Sequence, residues 1–260
     1  MSGELSQEYV VARRTLLDAL GALGSQCEAV VLVGAQAIYV HTGDAGLAVA
    51  EHTTDSDLAL NPAKLSEDPE LTEAMSAAGF YREENNNGPV VGIWSSLREI
   101  DGVPARVSVD LLVPSALGGG GSRAARLKGH VTGSAIKVAG IEGCLIDCKP
   151  QVLGSLESED SRSFEIMVAG PSSLLVSKAI KLWEREEDVT KGRRDRRSNK
   201  DALDVLRILR AIGAAELAEG LELLLRDELS AEVTKQALSC MPALFGTPAS
   251  PGSIMAADVA

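Results

Sequence analysis

TTDSDLAL, residues 53–60, is the stretch that decides the fold. The alternation from Thr54 to Leu60 predicts a half-buried strand. Asp55 and Asp57 are two residues apart on that strand, so their side chains project from one face with Cα atoms about 7 Å apart. Two neighbouring carboxylates repel each other, whereas a hard cation such as magnesium binds both and bridges to substrate phosphates. The stretch therefore predicts a strand that carries a metal site.

A third carboxylate lies in a second predicted strand, residues 103–113. Asp110 interrupts the apolar run VSVDLLV, and a buried charge is costly there unless a cation or hydrogen bonds compensate it. A turn at Asp101-Gly102 precedes this strand, and residues 90–94 are the strand predicted before the turn. Three carboxylates on two neighbouring strands can hold two ions, which stabilise the attacking and leaving oxygens of a phosphoryl displacement.

The segment before the aspartates predicts a strand, a glycine and a helix. Residues 29–33 (AVVLV) are short and apolar, Gly34 ends the run, and residues 35–41 form the expected helix. A helix N-terminus offers free backbone amides, which favour phosphate. Such a junction is common in proteins of every function, so its weight comes from the aspartates that follow.

Histidine and cysteine offer no clear metal site in this sequence. His52 lies close to the aspartates, but one histidine between a loop and a strand is interpreted as structural. Cys144 and Cys148 have no second Cys or His pair at a suitable spacing, so they are interpreted as buried thiols and not as zinc ligands.

The chain changes character at Ala169-Gly170-Pro171. We therefore place one domain at residues 1–169, a helical domain at 170–245 and a disordered, Pro- and Ser-rich tail at 246–260. Further helices are predicted, by apolar spacing, at residues 5–23, 65–78, 172–186, 199–212, 214–226 and 230–244. Residues 118–122 (GGGGS) form a flexible loop, either a lid or a plain surface loop.

Composition excludes several classes of protein. Aromatic residues make up 3% of the 260 residues, which disfavours binding by base stacking, and the formal net charge of -12 opposes nonspecific attraction to a polyanion. No stretch approaches the about 18 apolar residues that span a bilayer, and the N-terminus lacks the features of a signal peptide. We expect a cytoplasmic protein that does not enter the membrane.

These motifs together resemble the nucleotidyltransferase superfamily that includes DNA polymerase β. Gly34 matches the first residue of that family's glycine pair, and Ala35 stands where the family has Ser or Gly. Asp55 and Asp57 match the Asp-x-Asp pair, and Asp110 matches the third carboxylate. The insert between the glycine and the aspartates is longer than in the family.

The resemblance implies an α+β fold, with a mixed β-sheet flanked by helices and followed by a C-terminal helical bundle. It also implies two Mg²⁺ ions on the three aspartates, with a nucleoside triphosphate as substrate. Gly34, Ala35, Gln36 and Thr54 are then nucleotide-binding, and Gln36 faces the phosphates.

The C-terminal part resembles the AbiEii and MenT toxin branch, in which a helix with a lysine precedes a Lys-Asp-x-x-Asp helix. Here Lys178 precedes KDALD, residues 200–204. From the residues alone, Lys178 is a cation in an apolar context and needs a phosphate or carboxylate partner. The resemblance assigns Lys178 to the triphosphate and places Asp201 near the site, so both are predicted to be catalytic. Surface ion pairs at helical spacing are the alternative.

Residues 191–200 (KGRRDRRSNK) carry six basic residues and one acidic residue. On an acidic protein this cluster predicts a phosphate-rich ligand, either the nucleotide, through Arg193 and Arg194, or the acceptor end of an RNA. A solvated loop between two helices is the alternative.

The resemblance implies an enzyme that moves a nucleoside monophosphate from a triphosphate to an acceptor. In the toxin branch the acceptor is a tRNA 3′ end, and a cognate antitoxin is the partner. An aminoglycoside-type small molecule is the alternative acceptor. A noncatalytic nucleotide-binding module of the same fold is the alternative outside the enzyme class.

Overall fold

The computed structural model describes residues 5–43, 53–86 and 88–260. These fall into two compact units. The first unit comprises the described residues up to 36, those between 53 and 138, and 148–168. The second comprises 37–43, 139–147 and 169–260. Two segments that precede the change of character at residue 169 therefore belong to the second, mainly helical unit.

The first unit contains a mixed sheet with helices packed on it. Up to residue 169, the helices and strands are α1 (Gln7–Leu23), β1 (Val30–Val33), α2 (Gly34–Thr42), β2 (Asp55–Leu60), α3 (Leu71–Ala77), β3 (Glu84–Asn85), β4 (Gly88–Pro89), β5 (Ile93–Ile100), β6 (Val103–Pro114), β7 (Ile136–Val138), β8 (Cys148–Gly154) and β9 (Ser163–Ala169). The residues of α2 after Gln36 and the last residue of β9 belong to the second unit.

The strand order in the main sheet is β5-β6-β2-β1-β9-β8, with β7 paired to β6. Strand β1 is antiparallel to β2 and parallel to β9, and β2 is parallel to β6. Helix α1 packs on this sheet through Val11 and Ala12, which form a buried cluster with Val107 of β6. The predicted α+β fold, with a mixed sheet flanked by helices and followed by C-terminal helices, is confirmed.

Strands β5 and β6 form a hairpin around Asp101 and Gly102. Both turn residues have positive φ, 51° and 77°, as a two-residue turn that follows the twist of the strands requires. The ladder continues to the turn, where Ile100 pairs with Val103. Strand β5 is therefore Ile93–Ile100, and the prediction of a strand at residues 90–94 placed it too early.

The second unit contains the four predicted C-terminal helices and one more. They are α4 (Pro171–Thr190), α5 (Asn199–Ala211), α6 (Ala214–Arg226), α7 (Ala231–Phe245) and α8 (Pro251–Ala257). Helix α8 lies in the tail that composition predicts to be disordered. Pro251 is tolerated at the first helical position, where no amide is needed, and Gly252 and Ala256 are buried.

Helix α3 is shorter than the predicted helix at residues 65–78. It begins at Leu71 because Pro69 removes an amide and restricts the residue before it. The Glu70 side chain then caps the helix by accepting a hydrogen bond from the Glu73 amide at 2.9 Å.

A matched pair of glycine variants tests the hairpin. Gly102→Ala forces a Cβ into the left-handed region, so we expect the free energy of unfolding to fall by about 1–2 kcal/mol. Gly120 has no positive φ, and a Cβ added there would meet only open space. Gly120→Ala should therefore change the free energy of unfolding by no more than about 0.5 kcal/mol. Urea unfolding measures both, and equal losses would contradict the turn geometry.

Candidate functional site

Strands β2 and β6 bring the three predicted aspartates to one face of the sheet. Asp55, Asp57 and Asp110 are half-buried, whereas Ser56 and Val109, which point the other way, are buried. The parallel register pairs Asp57 with Asp110, so their Cα atoms lie about one strand spacing, ~4.8 Å, apart. The period-2 alternation in both strands therefore produces the predicted carboxylate cluster.

Gly34 leaves the space that the Asp57 carboxylate fills. Its φ is 69°, and a Cβ built on it would overlap Asp57 Oδ2. The register explains the contact, because Val33 of β1 pairs with Asp57. Gly34 also begins helix α2, so the first amides of the helix lie beside this carboxylate. Ala35 is 6% exposed, and its backbone amide is the part of it suited to a phosphate.

Asp55 is oriented by a threonine that sequence reasoning missed. Thr53 is fully buried, and its Oγ1 donates to Asp55 Oδ1 at 2.5 Å. Threonine side chains commonly form hydrogen bonds with residues close to them in the sequence. The position of Thr53, two residues before Asp55, was therefore the signal that could have identified it. The predicted ligand-binding residue Thr54 is exposed, and its carbonyl accepts from the Ser108 amide at 3.3 Å.

The prediction that Gln36 faces phosphate is wrong for its side chain. Gln36 is 1% exposed. Its Oε1 accepts from Arg13 Nε at 2.9 Å, and its Nε2 donates to Ser56 Oγ at 2.5 Å. Ser56 lies on the face of β2 opposite the aspartates, because successive side chains of a strand alternate. The Gln36 side-chain amide therefore lies on the side of the sheet that α1 covers, opposite the aspartates.

A pocket of about 310 Å³ opens on the aspartate face. Its lining residues are Asp55, Glu83, Val90, Ile93, Ser95, Arg106, Ser108 and Asp110. Arg106 forms an ion pair with Glu83, and both side chains are exposed. The volume is at the lower end of the range for small-ligand sites. The sequence analysis did not single out these four polar residues: Ser95, Arg106 and Ser108 share the strand alternation of the aspartates, whereas Glu83 lies outside the strands.

The carboxylates do not form a complete metal cage. Within the described residues, no group of three His, Cys, Asp or Glu side chains could hold one ion as it stands. The predicted ligands supply hard oxygen atoms on adjacent strands, and magnesium commonly takes one or two carboxylates with phosphates and water. The donor chemistry therefore fits an ion whose remaining ligands are water and, when a substrate is bound, phosphate oxygens. His52 lies outside the described residues.

Lys178 and Asp201, the two predicted catalytic residues of the second unit, contact each other. Lys178 Nζ lies 2.8 Å from Asp201 Oδ1 and 2.6 Å from Asp204 Oδ2. Asp201 also pairs with Lys181 at 3.0 Å and with Arg185. Lys178 thus has the carboxylate partner that its apolar context requires, and the ion pairs join α4 to α5. Its assignment to a triphosphate stays a prediction.

Burial and charge oppose each other in this cluster. Burial alone would lower the pKa of Lys178, but the charges of Asp204 and Asp201 outweigh it and hold the pKa above its usual value. Burial alone would raise the pKa of Asp201, but Lys178 and Lys181 hold it well below its usual range. Both groups are therefore charged at neutral pH. Their ion pairs connect α4 and α5.

The arginine-rich loop at residues 191–200 forms ion pairs with an acidic residue of α4 and with an acidic residue of the loop itself. Asp188, near the end of α4, forms ion pairs with Arg193 at 3.0 Å and with Arg196. Arg197 pairs with Asp195 at 2.8 Å. Arg194 is exposed and forms no ion pair with any residue that the structure describes. Of the two predicted nucleotide-binding arginines, Arg193 is therefore in a solvent-exposed ion pair, and Arg194 is in none with the described residues.

No model of a known protein family matches the chain, and no curated protein matches it. Among solved structures, it is similar to an antigenic nucleotidyltransferase-like protein from Paracoccidioides brasiliensis. That match has 16% identity and a TM-score of 0.44, and it covers 94% of this chain and 99% of that one.

It is also similar to the antibiotic-resistance factor ANT(2'')-Ia, with 13% identity, a TM-score of 0.45 and coverage of 89% and 95%. Likeness at this level assigns no family and no substrate to the chain. Separately, none of the helices in the described ranges is long and apolar enough to cross a membrane.

A matched pair of lysine variants tests the buried cluster. Lys178→Met leaves the buried carboxylates of Asp201 and Asp204 without their shared cation, so the free energy of unfolding should fall by about 3–5 kcal/mol. Lys181→Met removes a cation whose side chain is 47% exposed and should cost about 0–1 kcal/mol. Chemical denaturation at pH 7 measures both, and a small effect of Lys178→Met would refute the structural role.

Proposed function

We propose that this chain is a metal-dependent nucleotidyltransferase, which moves a nucleoside monophosphate from a nucleoside triphosphate to an acceptor and releases pyrophosphate. One observation carries the proposal: the Gly34 backbone at the start of α2 contacts the Asp57 carboxylate, and Asp57 is the register partner of Asp110 on the neighbouring strand. Amides suited to phosphate and carboxylates suited to a cation then lie side by side. A metal-bound triphosphate needs both.

Asp57 and Asp110 are the proposed ligands of Mg²⁺, and Asp55, held by Thr53, supplies further oxygen atoms. When bound, Mg²⁺ neutralises charge that develops on the phosphates during transfer. The remaining ligands come from the triphosphate and from water, which accords with the incomplete protein cage. The first amides of α2, from Gly34 onward, bind the phosphates and orient them towards the carboxylates.

The pocket beside the aspartates is the proposed place for the acceptor hydroxyl. Asp55 and Asp110 line it together with the hydroxyl groups of Ser95 and Ser108. A tRNA 3′ end is the acceptor that the toxin resemblance implies. A small cationic molecule is the second candidate, because the described residues that line the pocket include three carboxylates, and Arg106, the cation among them, is paired with Glu83.

A labelling assay tests the proposal. Purified protein is incubated with each labelled nucleoside triphosphate and Mg²⁺, together with either total tRNA or a hydroxylated cationic amine such as an aminoglycoside. Asp57→Asn should reduce transfer by more than about 100-fold, since changes in residues that only support metal ligands typically cost 10–100-fold. Asp101→Asn is the matched control, because Asn tolerates positive φ in that turn.

The identity of the labelled product distinguishes the two candidate acceptors from each other and from a noncatalytic module. Label on RNA supports the toxin reading, and label on the amine alone supports the small-molecule reading. Nucleotide binding without transfer to any acceptor would instead favour a noncatalytic module. Equal activity of Asp57→Asn and the wild type would refute the proposed site.

Gly34→Ala tests the contact on which the proposal rests. The new Cβ would displace the Asp57 carboxylate, so we expect transfer to fall as it does in Asp57→Asn. Gly102→Ala controls for backbone strain alone, because it shares the positive φ but has open space around its Cβ. Full transfer by Gly34→Ala, measured in the same assay, would show that the close contact is dispensable.

A further inference from the structure

A buried network of polar side chains lies behind the aspartate strand β2. Arg13, Gln36 and Ser56 form it through hydrogen bonds of 2.9 and 2.5 Å, and each residue is at most 5% exposed. Buried polar groups are costly unless their bonds are made, and a satisfied network fixes one arrangement of the elements it joins.

This polar network joins the two segments that make the candidate site. Gln36 is two residues after Gly34 in the first turn of α2, and Ser56 lies between Asp55 and Asp57 on β2. The bond from Gln36 Nε2 to Ser56 Oγ therefore sets the distance between the helix start and the strand. Because Gly34 contacts the Asp57 carboxylate, a small displacement of the first turn changes the carboxylate position directly.

Other contacts hold the Arg13 end of this polar network in place. Arg13 donates to the Tyr9 hydroxyl at 2.7 Å and to the Gly154 carbonyl at 3.2 Å, and its guanidinium lies 5.4 Å from the centre of the Tyr9 ring. Helix α1 and strand β8 thus hold Arg13, and Arg13 holds the oxygen of the Gln36 amide. That leaves the amide nitrogen of Gln36 directed at Ser56.

We propose that Gln36 is a positioning residue of the metal site: through Ser56 it holds Gly34 and Asp57 at the spacing that lets the carboxylates bind a divalent cation. Gln36 contacts no ligand itself, because its side chain is on the inner side of the sheet. The inference rests on the proposed function, since it presumes that Asp57 binds metal.

Binding of Mn²⁺ alone, measured by the electron paramagnetic resonance signal of the free ion, tests this role without turnover. Gln36→Leu keeps the approximate volume and loses both hydrogen bonds, whereas Arg13 keeps Tyr9 and Gly154. We expect Gln36→Leu and Ser56→Ala each to weaken Mn²⁺ binding about tenfold. The double variant should be no weaker than the weaker single, because both changes remove one shared bond.

Two further variants separate positioning from general stability. Gln36→Glu still accepts from Arg13 and can accept from the Ser56 hydroxyl, so it should recover most of the Mn²⁺ affinity. Met75→Ala, at a buried position of α3, should lower the thermal midpoint while leaving Mn²⁺ affinity unchanged. If Gln36→Leu fails to fold, Ser56→Ala tests the same bond.

The outcomes distinguish the two proposals. Wild-type affinity in Gln36→Leu or Ser56→Ala, with binding abolished in Asp57→Asn, would overturn the positioning role and leave the proposed metal site intact. A wild-type protein that binds no Mn²⁺, or an Asp57→Asn variant that binds it normally, would overturn the metal site and this inference with it.

Discussion

Asp57 and residue 34 compete for one small volume, and the carboxylate fills it because residue 34 is glycine. This contact fixes the end of β1, the positive φ that starts α2, and the direction in which Asp57 points. The parallel register of β2 with β6 separately places Asp57 beside Asp110. Removing a Cβ is thus what allows a helix N-terminus and a carboxylate pair to be neighbours.

The two units handle charge in opposite ways. In the first unit, three carboxylates share a half-exposed face of the sheet, and the proposed cation would reduce the repulsion between them. In the second, Lys178 and the acids of α5 are buried and neutralise each other. A neutralised cluster gains little from a ligand, whereas a cluster of like charges gains much. This difference is one reason for placing the proposed ligand on the sheet face.

The sequence could predict those features whose causes are local. Alternation placed Asp55, Asp57 and Asp110 on one face, and the chemistry of Asp101-Gly102 marked the hairpin. Periodicity alone cannot say which way the first turn of a helix faces. Gln36 was misassigned because its partners, Arg13 and Ser56, are 23 and 20 residues away in the chain.

Partners of charged groups were equally hard to foresee. The apolar context of Lys178 predicted that it needs an anion, but only the packing of α5 on α4 supplies Asp201 and Asp204. Similarly, the loop at residues 191–200 is basic in composition, yet Asp188 lies just before it and neutralises Arg193. Helix α8 went unpredicted because a short Pro- and Ser-rich segment is helical only where its small residues are buried.

The register between β2 and β6 determines where the chain tolerates changes of length. A single residue inserted or deleted within either strand would turn its aspartates into the core and bring the apolar side chains outward. The exposed glycines near residue 120 face no such constraint. Fusion tags, labels and insertions therefore belong in that loop, and the two strands must keep their length in any redesigned version of this protein.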